Sequence, residues 1–175
     1  MKSVKIFLIL SIFFLTPFES FSHGPSRQKV SESIIVNASA ETVWDIVKNF
    51  KDFKWNEDVK NCLATDNKIG SERTIEFNNG SKLKQKLEKL DDEKLMIGWR
   101  VTETDNKMLP VNSYAAKIFI SSKDDNTAQV KYKAGFYRGF MGNDPPEELN
   151  DENSKKKVMI FVDKAIEGLK NKVQQ

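Results

Sequence analysis

Histidine and cysteine are almost absent: the 175 residues contain one of each, His23 and Cys62. That excludes an internal disulfide, a Cys/His zinc site and a nucleophile–histidine pair drawn from several candidates. A surplus of one charge is missing as well. Lys plus Arg number 28 against 25 Asp plus Glu, too even for a dedicated nucleic-acid binder with its basic stripe. Long apolar runs are also lacking. The one conspicuous stretch, Ile6–Leu15, is ten residues long, half of the about 20 that a spanning helix requires, so no stable membrane insertion is expected. What is present is 39% hydrophobic and 30% charged, with 12 Phe, 3 Trp and 3 Tyr. That is enough aromatic bulk for the core of one soluble domain without staples. No internal repeat or low-complexity segment stands out.

The amino-terminal segment reads as an address. Lys2 and Lys5 precede the apolar run, Pro17 breaks it, and Ser20-Phe21-Ser22 offers small residues at −3 and −1. This is the pattern of a secretory signal over residues 1–22, cleaved after Ser22. A mature chain of residues 23–175 in the periplasm is expected. His23 would then be a free amino terminus, and with no second histidine it is read as a disordered end rather than a copper ligand. Cys62 is read as a small buried apolar residue.

Periodicity organises the rest. Ser33–Val36 is a short strand. Ser39 is a suitable N-cap with Glu41 in the first turn, and Val43, Trp44, Ile46, Val47 and Phe50 recur at helical spacing, predicting a helix over 40–50. Strands follow over 59–65 and 73–77, and Asn78-Asn79-Gly80 then signals a hairpin. Residues 81–95 fit either state: Leu83, Leu87 and Leu90 suit a helical stripe, while Leu83, Gln85 and Leu87 alternate with Lys82, Lys84 and Lys86. Clean alternation returns over 95–102, 114–120 and 128–136, with Lys131 and Lys133 facing away. Asp144, Pro145 and Glu147 suggest a helix start. Val158, Phe161, Val162, Ala165, Ile166, Leu169 and Val173 form the apolar stripe of a long terminal helix, with Lys155, Lys156 and Lys157 a solvated face.

Six or seven antiparallel strands and one long helix define an α+β domain in which a curved sheet buries one face on the helix. Alternation turns Ile75, Phe77, Leu87, Trp99, Val101, Tyr114, Ile118, Val130 and Tyr132 inward. This apolar and aromatic wall suits a small-molecule cavity. Arg73 and Gln85 are the polar exceptions. An inward charge is costly unless paired or hydrated. Arg73 therefore pairs with an internal carboxylate, sits at a wet cavity mouth, or binds an acidic ligand.

The chain resembles the polyketide-cyclase/START-like (SRPBCC) superfamily. The resemblance rests on Asn37-Ala38-Ser39-Ala40-Glu41-Thr42-Val43-Trp44-Asp45, on Gly70-Ser71-Glu72-Arg73, and on Gly80 followed by Gln85-Lys86-Leu87, where Gln85 replaces the superfamily's usual Glu. It implies a helix-grip fold over residues 30–173 and a strand over 81–90. A closer similarity is to the MxaD family of exported helix-grip proteins from methanol-oxidation clusters. It is carried by His23-Gly24-Pro25, Leu109-Pro110-Val111-Asn112-Ser113-Tyr114, Phe136-Tyr137-Arg138-Gly139-Phe140, Asn143-Asp144-Pro145-Pro146 and Glu148-Leu149-Asn150-Asp151-Glu152. It implies a periplasmic accessory protein that helps methanol dehydrogenase meet its cytochrome c acceptor.

Three functions follow as expectations. The first is a non-enzymatic accessory protein with Tyr137, Arg138, Phe140 and Met141 as a partner-binding loop, since aromatic and Arg anchors dominate interfaces. The second is a carrier of a small hydrophobic ligand held by Arg73, Ile75, Phe77, Gln85, Trp99, Val101, Tyr114, Ile118 and Tyr132. The third is a cyclase- or dehydratase-type enzyme in which Tyr114 or Tyr132 with Arg73 polarises a carbonyl. General acid–base work wants a group titrating near the operating pH, and the interior supplies none, so no catalytic residue, metal or cofactor is assigned.

Overall fold

The computed structural model describes residues 24–175; the secretory signal expected over residues 1–22, and His23, lie outside the described residues. Seven strands, β1 (Gln28–Val36), β2 (Val59–Ala64), β3 (Glu72–Phe77), β4 (Lys82–Asp91), β5 (Met96–Thr104), β6 (Val111–Asp124) and β7 (Thr127–Arg138), form one antiparallel sheet in the order β1-β7-β6-β5-β4-β3-β2. Helix α1 (Ala40–Val47) links β1 to β2, and helix α2 (Asp151–Val173) ends the chain. Successive hairpins from β2 to β7 explain the order, and β1 closes on β7 at the far edge. Register shifts in β2, β4 and β6 mark bulges, which bend strands and help the sheet curve around α2. This is the helix-grip arrangement.

Local chemistry accounts for the elements. Ser39 Oγ accepts from the Thr42 backbone N–H at 3.2 Å and caps α1. Gly80 takes φ +83°, a conformation that glycine adopts freely, at the β3–β4 turn. Residues 82–91 are strand, with Leu83, Gln85 and Leu87 buried. Alternation and the Asn-Gly turn override their helix propensity because the inward face is covered. The stripe of α2 from Val158 to Leu169 is buried, and Lys155–Lys157 are exposed as expected.

Several boundaries differ from the sequence reading. Strand β1 starts at Gln28 instead of Ser33, and β6 spans Val111–Asp124 instead of 114–120. Helix α1 stops at Val47, so Phe50 belongs to the following loop. Asp144 does not start the terminal helix. Pro146 is extended at φ −61°, ψ 156°, residues Glu147–Leu149 make one 3-10 turn, and α2 begins at Asp151. A proline disfavours helical backbone in the residue before it, so Pro146 keeps Pro145 from opening the helix. Asn150 is the actual cap, its Oδ1 accepting from Asn153 N at 2.8 Å. Finally, β7 runs on to Arg138, which places Tyr137 and Arg138 on the sheet.

Candidate functional site

The site lies between the concave face of the sheet and α2. Register sets its wall. Arg73 of β3 stands opposite Gln85 of β4, and Gln85 opposite Val101 of β5. Trp99 pairs across to Leu87 and Ala116, and Ile118 to Tyr132. Directly opposed residues share a face, so Arg73, Gln85 and Val101 lie on one face, and the apolar members of the expected set pack into the core on that side. Ile75, Phe77, Trp99, Tyr114, Ile118 and Tyr132 are buried and Val101 is half-buried. From α2, Phe161 meets Phe77 at 6.3 Å between ring centroids and Phe53 at 6.0 Å.

Arg73 is 2% exposed, which places it far from a wet mouth. No carboxylate pairs with it among the described residues. Its guanidinium carbon instead lies 4.2 Å from the Phe50 ring centroid, 4.6 Å from Phe53 and 5.1 Å from Trp99. Its Nε donates to Gln85 Oε1 at 2.8 Å and its Nη1 to the Phe50 carbonyl at 3.1 Å. An aromatic cage therefore holds the cation, since ring faces attract positive charge most strongly when water is excluded. The cage is incomplete compensation: burial lowers the Arg73 pKa to about 10. Of the three readings of this residue, the internal ion pair and the wet mouth fall to these contacts.

Five buried polar atoms of the interior share one property. Trp55 Nε1, Asn56 Nδ2, Arg73 Nη2, Gln85 Nε2 and Trp99 Nε1 are buried without a hydrogen-bond partner among the described residues. Each of the five is an N–H donor. Buried polar groups are normally satisfied, so the orphan donors of Arg73 and of its neighbours Gln85 and Trp99 favour a group that only accepts. Tyr114 and Tyr132 are fully buried and hydrogen-bond each other at 3.0 Å between hydroxyl oxygens. Burial first of all raises both phenol pKa values, so neither supplies a phenolate near neutral pH. Cys62 of β2 is buried opposite Ile75 of β3, and desolvation likewise raises its thiol pKa. Among the described residues no cluster of His, Cys, Asp and Glu is placed to hold a metal, and no helix is long and apolar enough to cross a membrane.

Sequence reading passed over part of this site. Phe53, Trp55 and Asn56 belong to the loop after α1, where no periodicity applies, and Phe50, which its spacing assigns to the helix, belongs to that loop as well. The signal there was density: three aromatics in six residues beside few other loop aromatics.

The Tyr137–Met141 segment differs from the expected docking loop. Arg138 is 6% exposed and turns inward. Its Nε donates to the Phe140 carbonyl at 2.8 Å, its Nη2 to the Gly142 carbonyl at 2.7 Å, and its Nη1 pairs with Asp151 Oδ2 at 2.9 Å. Arg138 therefore holds the loop onto the start of α2 and is not a surface anchor. Tyr137 is half-buried with Arg27 over its ring, and Phe140 and Met141 remain exposed. Asn112 Nδ2 donates to the carbonyls of Arg138 and Gly139 at 3.0 and 2.8 Å, and Gly139 N donates to Ser154 Oγ at 3.3 Å.

Solved structures share this architecture at low identity. The protein XoxI from Bacillus cereus matches with a TM-score of 0.70 at 17% identity, covering 84% of this chain and 96% of its own. The Zhui aromatase/cyclase from Streptomyces sp. R1128 matches at 0.66 with 15% identity, over 85% and 92% respectively. A START superfamily protein from Mycobacterium smegmatis matches at 0.66 with 17% identity, over 84% and 97%. At such identities the likeness establishes the fold. No curated protein matches the chain. The family described as "Polyketide cyclase / dehydrase and lipid transport" matches residues 27–174, so the chain belongs to that family.

Proposed function

We propose that this protein is a non-enzymatic accessory protein of methanol oxidation, exported to the periplasm, where it assists the interaction of methanol dehydrogenase with its cytochrome c acceptor. One observation carries the reading. Three of the strings that bear the resemblance to the MxaD family, residues 109–114, 136–140 and 148–152, lie apart in sequence yet form one hydrogen-bonded unit. Asn112 binds the carbonyls of Arg138 and Gly139, and Arg138 binds Asp151. That unit holds Phe140 and Met141 exposed at 38% and 49%, and exposed apolar anchors on a rigid support suit a partner interface. An interior without a group titrating near neutral pH weighs toward binding and away from catalysis. The test is capture of dehydrogenase and cytochrome by the wild-type protein and by Phe140→Ala plus Met141→Ala. Loss of capture by the variant supports the reading. Equal capture removes the loop from it, and no capture by either removes the reading.

The donor-only interior favours a second reading, a carrier of a small and mostly apolar molecule bearing a carboxylate or carbonyl. Arg73, Gln85 and Trp99 would donate to that group, and Ile75, Phe77, Val101 and Ile118 would cover the apolar part. Native mass spectrometry of protein isolated from its own cells tests this. A bound mass that disappears in Arg73→Met supports it, and an unliganded wild-type protein counts against it. A cyclase-type role is less well supported, because burial raises the pKa of both Tyr114 and Tyr132, so neither supplies a base near neutral pH.

A further inference from the structure

The convex face of the sheet is as one-sided in charge as the concave face is in hydrogen-bond polarity. On β1 its outward positions are Lys29, Ser31, Ser33 and Ile35. On β7 they are Gln129, Lys131, Lys133, Gly135 and Tyr137, and on β6 they run from Ala115 through Lys117, Phe119 and Ser121 to Lys123. These three strands present lysines and no carboxylate over that area. Lys117 stands directly opposite Lys133, and the row continues through Gly98 to Lys89. Like charges opposed across a ladder destabilise a sheet. Lys29, Lys89, Lys117, Lys131 and Lys133 are exposed, and none forms an ion pair among the described residues.

Shape reinforces charge. Gly98, Ala115 and Gly135 floor a groove of about 350 Å³ whose rim includes Arg27, Lys29, Lys89, Lys117 and Lys133 and one carboxylate, Glu88, which is already paired with Arg100 at 3.3 Å. A side chain at Gly98 would fill it, since an added Cβ would lie 3.1 Å from Lys117 Cγ. Phe119 lies in the groove, with Lys133 Nζ 5.4 Å from its ring centroid. The result is a shallow trough with a small-residue floor, one aromatic wall and a cationic rim. A carboxylate laid in it would sit between lysines that otherwise repel one another.

We infer that this face docks an acidic segment of a partner protein, with Lys117 and Lys133 as its electrostatic centre. Opposite charge steers such encounters and fixes their register more than it adds affinity. The inference deepens the accessory reading in one respect, that a protein is the occupant. Its test uses neither dehydrogenase nor cytochrome, so the two can fail separately.

Binding of fluorescent poly-L-glutamate to the purified protein is measured at low salt. Raising salt from about 0.01 M to about 0.1 M shortens the screening length from about 30 to about 10 Å, and affinity should fall by about tenfold or more, as steered contacts do. Lys117→Gln plus Lys133→Gln should abolish the low-salt binding. Lys155→Gln plus Lys156→Gln, equal in charge change but placed on the exposed side of α2, should retain it. Both pairs are exposed, and matching thermal melts confirm that each variant is folded. Four results overturn the inference: no binding by wild type, equal loss in both variants, binding to phosphatidylglycerol vesicles without binding to poly-L-glutamate, or salt-sensitive self-association that the sheet variant abolishes in place of poly-L-glutamate binding.

Discussion

Arg73 Nε donates to Gln85 Oε1 at 2.8 Å across the β3–β4 pair, so a buried guanidinium is met by a neutral amide. The amide accepts one hydrogen bond and leaves its own Nε2 without an acceptor. Charge compensation passes to the rings of Phe50, Phe53 and Trp99 and to the Phe50 carbonyl. The same contacts tie the loop after α1 to the centre of the sheet.

Exchanging that amide for an acid tests how complete the compensation is. Gln85→Glu places a carboxylate beside Arg73 and should stabilise the protein by about 1–2 kcal/mol at pH 7, the range of a charge-assisted bond net of desolvation. Arg73 should hold the new carboxyl below its unfolded value of about 4.3. The gain is then present above that value and is lost as pH falls through the folded pKa. Gln85→Leu removes the acceptor and should cost about 2–3 kcal/mol. Urea unfolding at pH 7 and pH 4 reads both. A Gln85→Glu variant less stable than wild type at pH 7 would mean that the cage already satisfies the cation.

The Tyr114–Tyr132 pair makes stability fall in alkali. Burial raises both phenol pKa values in the folded state, while unfolded tyrosine titrates near 10. Above about pH 10 the unfolded chain binds fewer protons than the folded one, so stability declines as pH rises. Arg73 acts in the opposite sense, because its folded pKa of about 10 lies below the unfolded value, but it is one group against two. Thermal melts from pH 8 to pH 11 should show the decline, and Tyr114→Phe plus Tyr132→Phe should flatten or reverse it. Tyr114→Phe alone leaves one buried hydroxyl unpaired and should cost about 1–3 kcal/mol.

How far the sequence announced this structure depends on whether local spacing carried the signal. Alternation placed Ile75, Phe77, Trp99 and Tyr132 on one face, and the α2 stripe is buried as its 3.6 period implied. Arg73 was identifiable as an inward cation, but its solution was not, because Phe50 and Phe53 reach it from a loop 20 or more positions away in sequence. Arg138 was misplaced for a similar reason. Its aromatic neighbours suggested a partner-binding loop, whereas its partners are backbone carbonyls and an acid on the next helix. Contacts of that kind leave no periodic trace.

Arg138→Ala should cost about 2–4 kcal/mol, because it breaks one ion pair and strips two carbonyls of a charged donor. The loss should be local. Hydrogen exchange should quicken over residues 139–154, where the loop rests on the start of α2, and change little in β4 and β5. Phe140→Ala, which trims an exposed ring, should lie within about 0.5 kcal/mol of wild type. Equal destabilisation by the two substitutions would contradict the inward role assigned to Arg138.

Gly168 sets how tightly the grip closes. A Cβ there would fall 1.9 Å from the Trp55 carbonyl oxygen, so α2 touches the loop backbone at this point. Alanine is the better helix former by about 1 kcal/mol, and on an open helix face Gly168→Ala would stabilise. Here overpacking against backbone should outweigh that gain and give a net loss of about 1–3 kcal/mol. The clash can be relieved only by moving α2 or the 53–56 segment outward, so Trp55, 6% exposed in the wild type, should become more accessible to acrylamide quenching. Lys164 pairs with Asp58 at 2.7 Å one turn away and would resist the movement only weakly, because both side chains are about 40% exposed or more. A variant as stable as wild type with unchanged quenching would mean that α2 and the loop do not meet at Gly168.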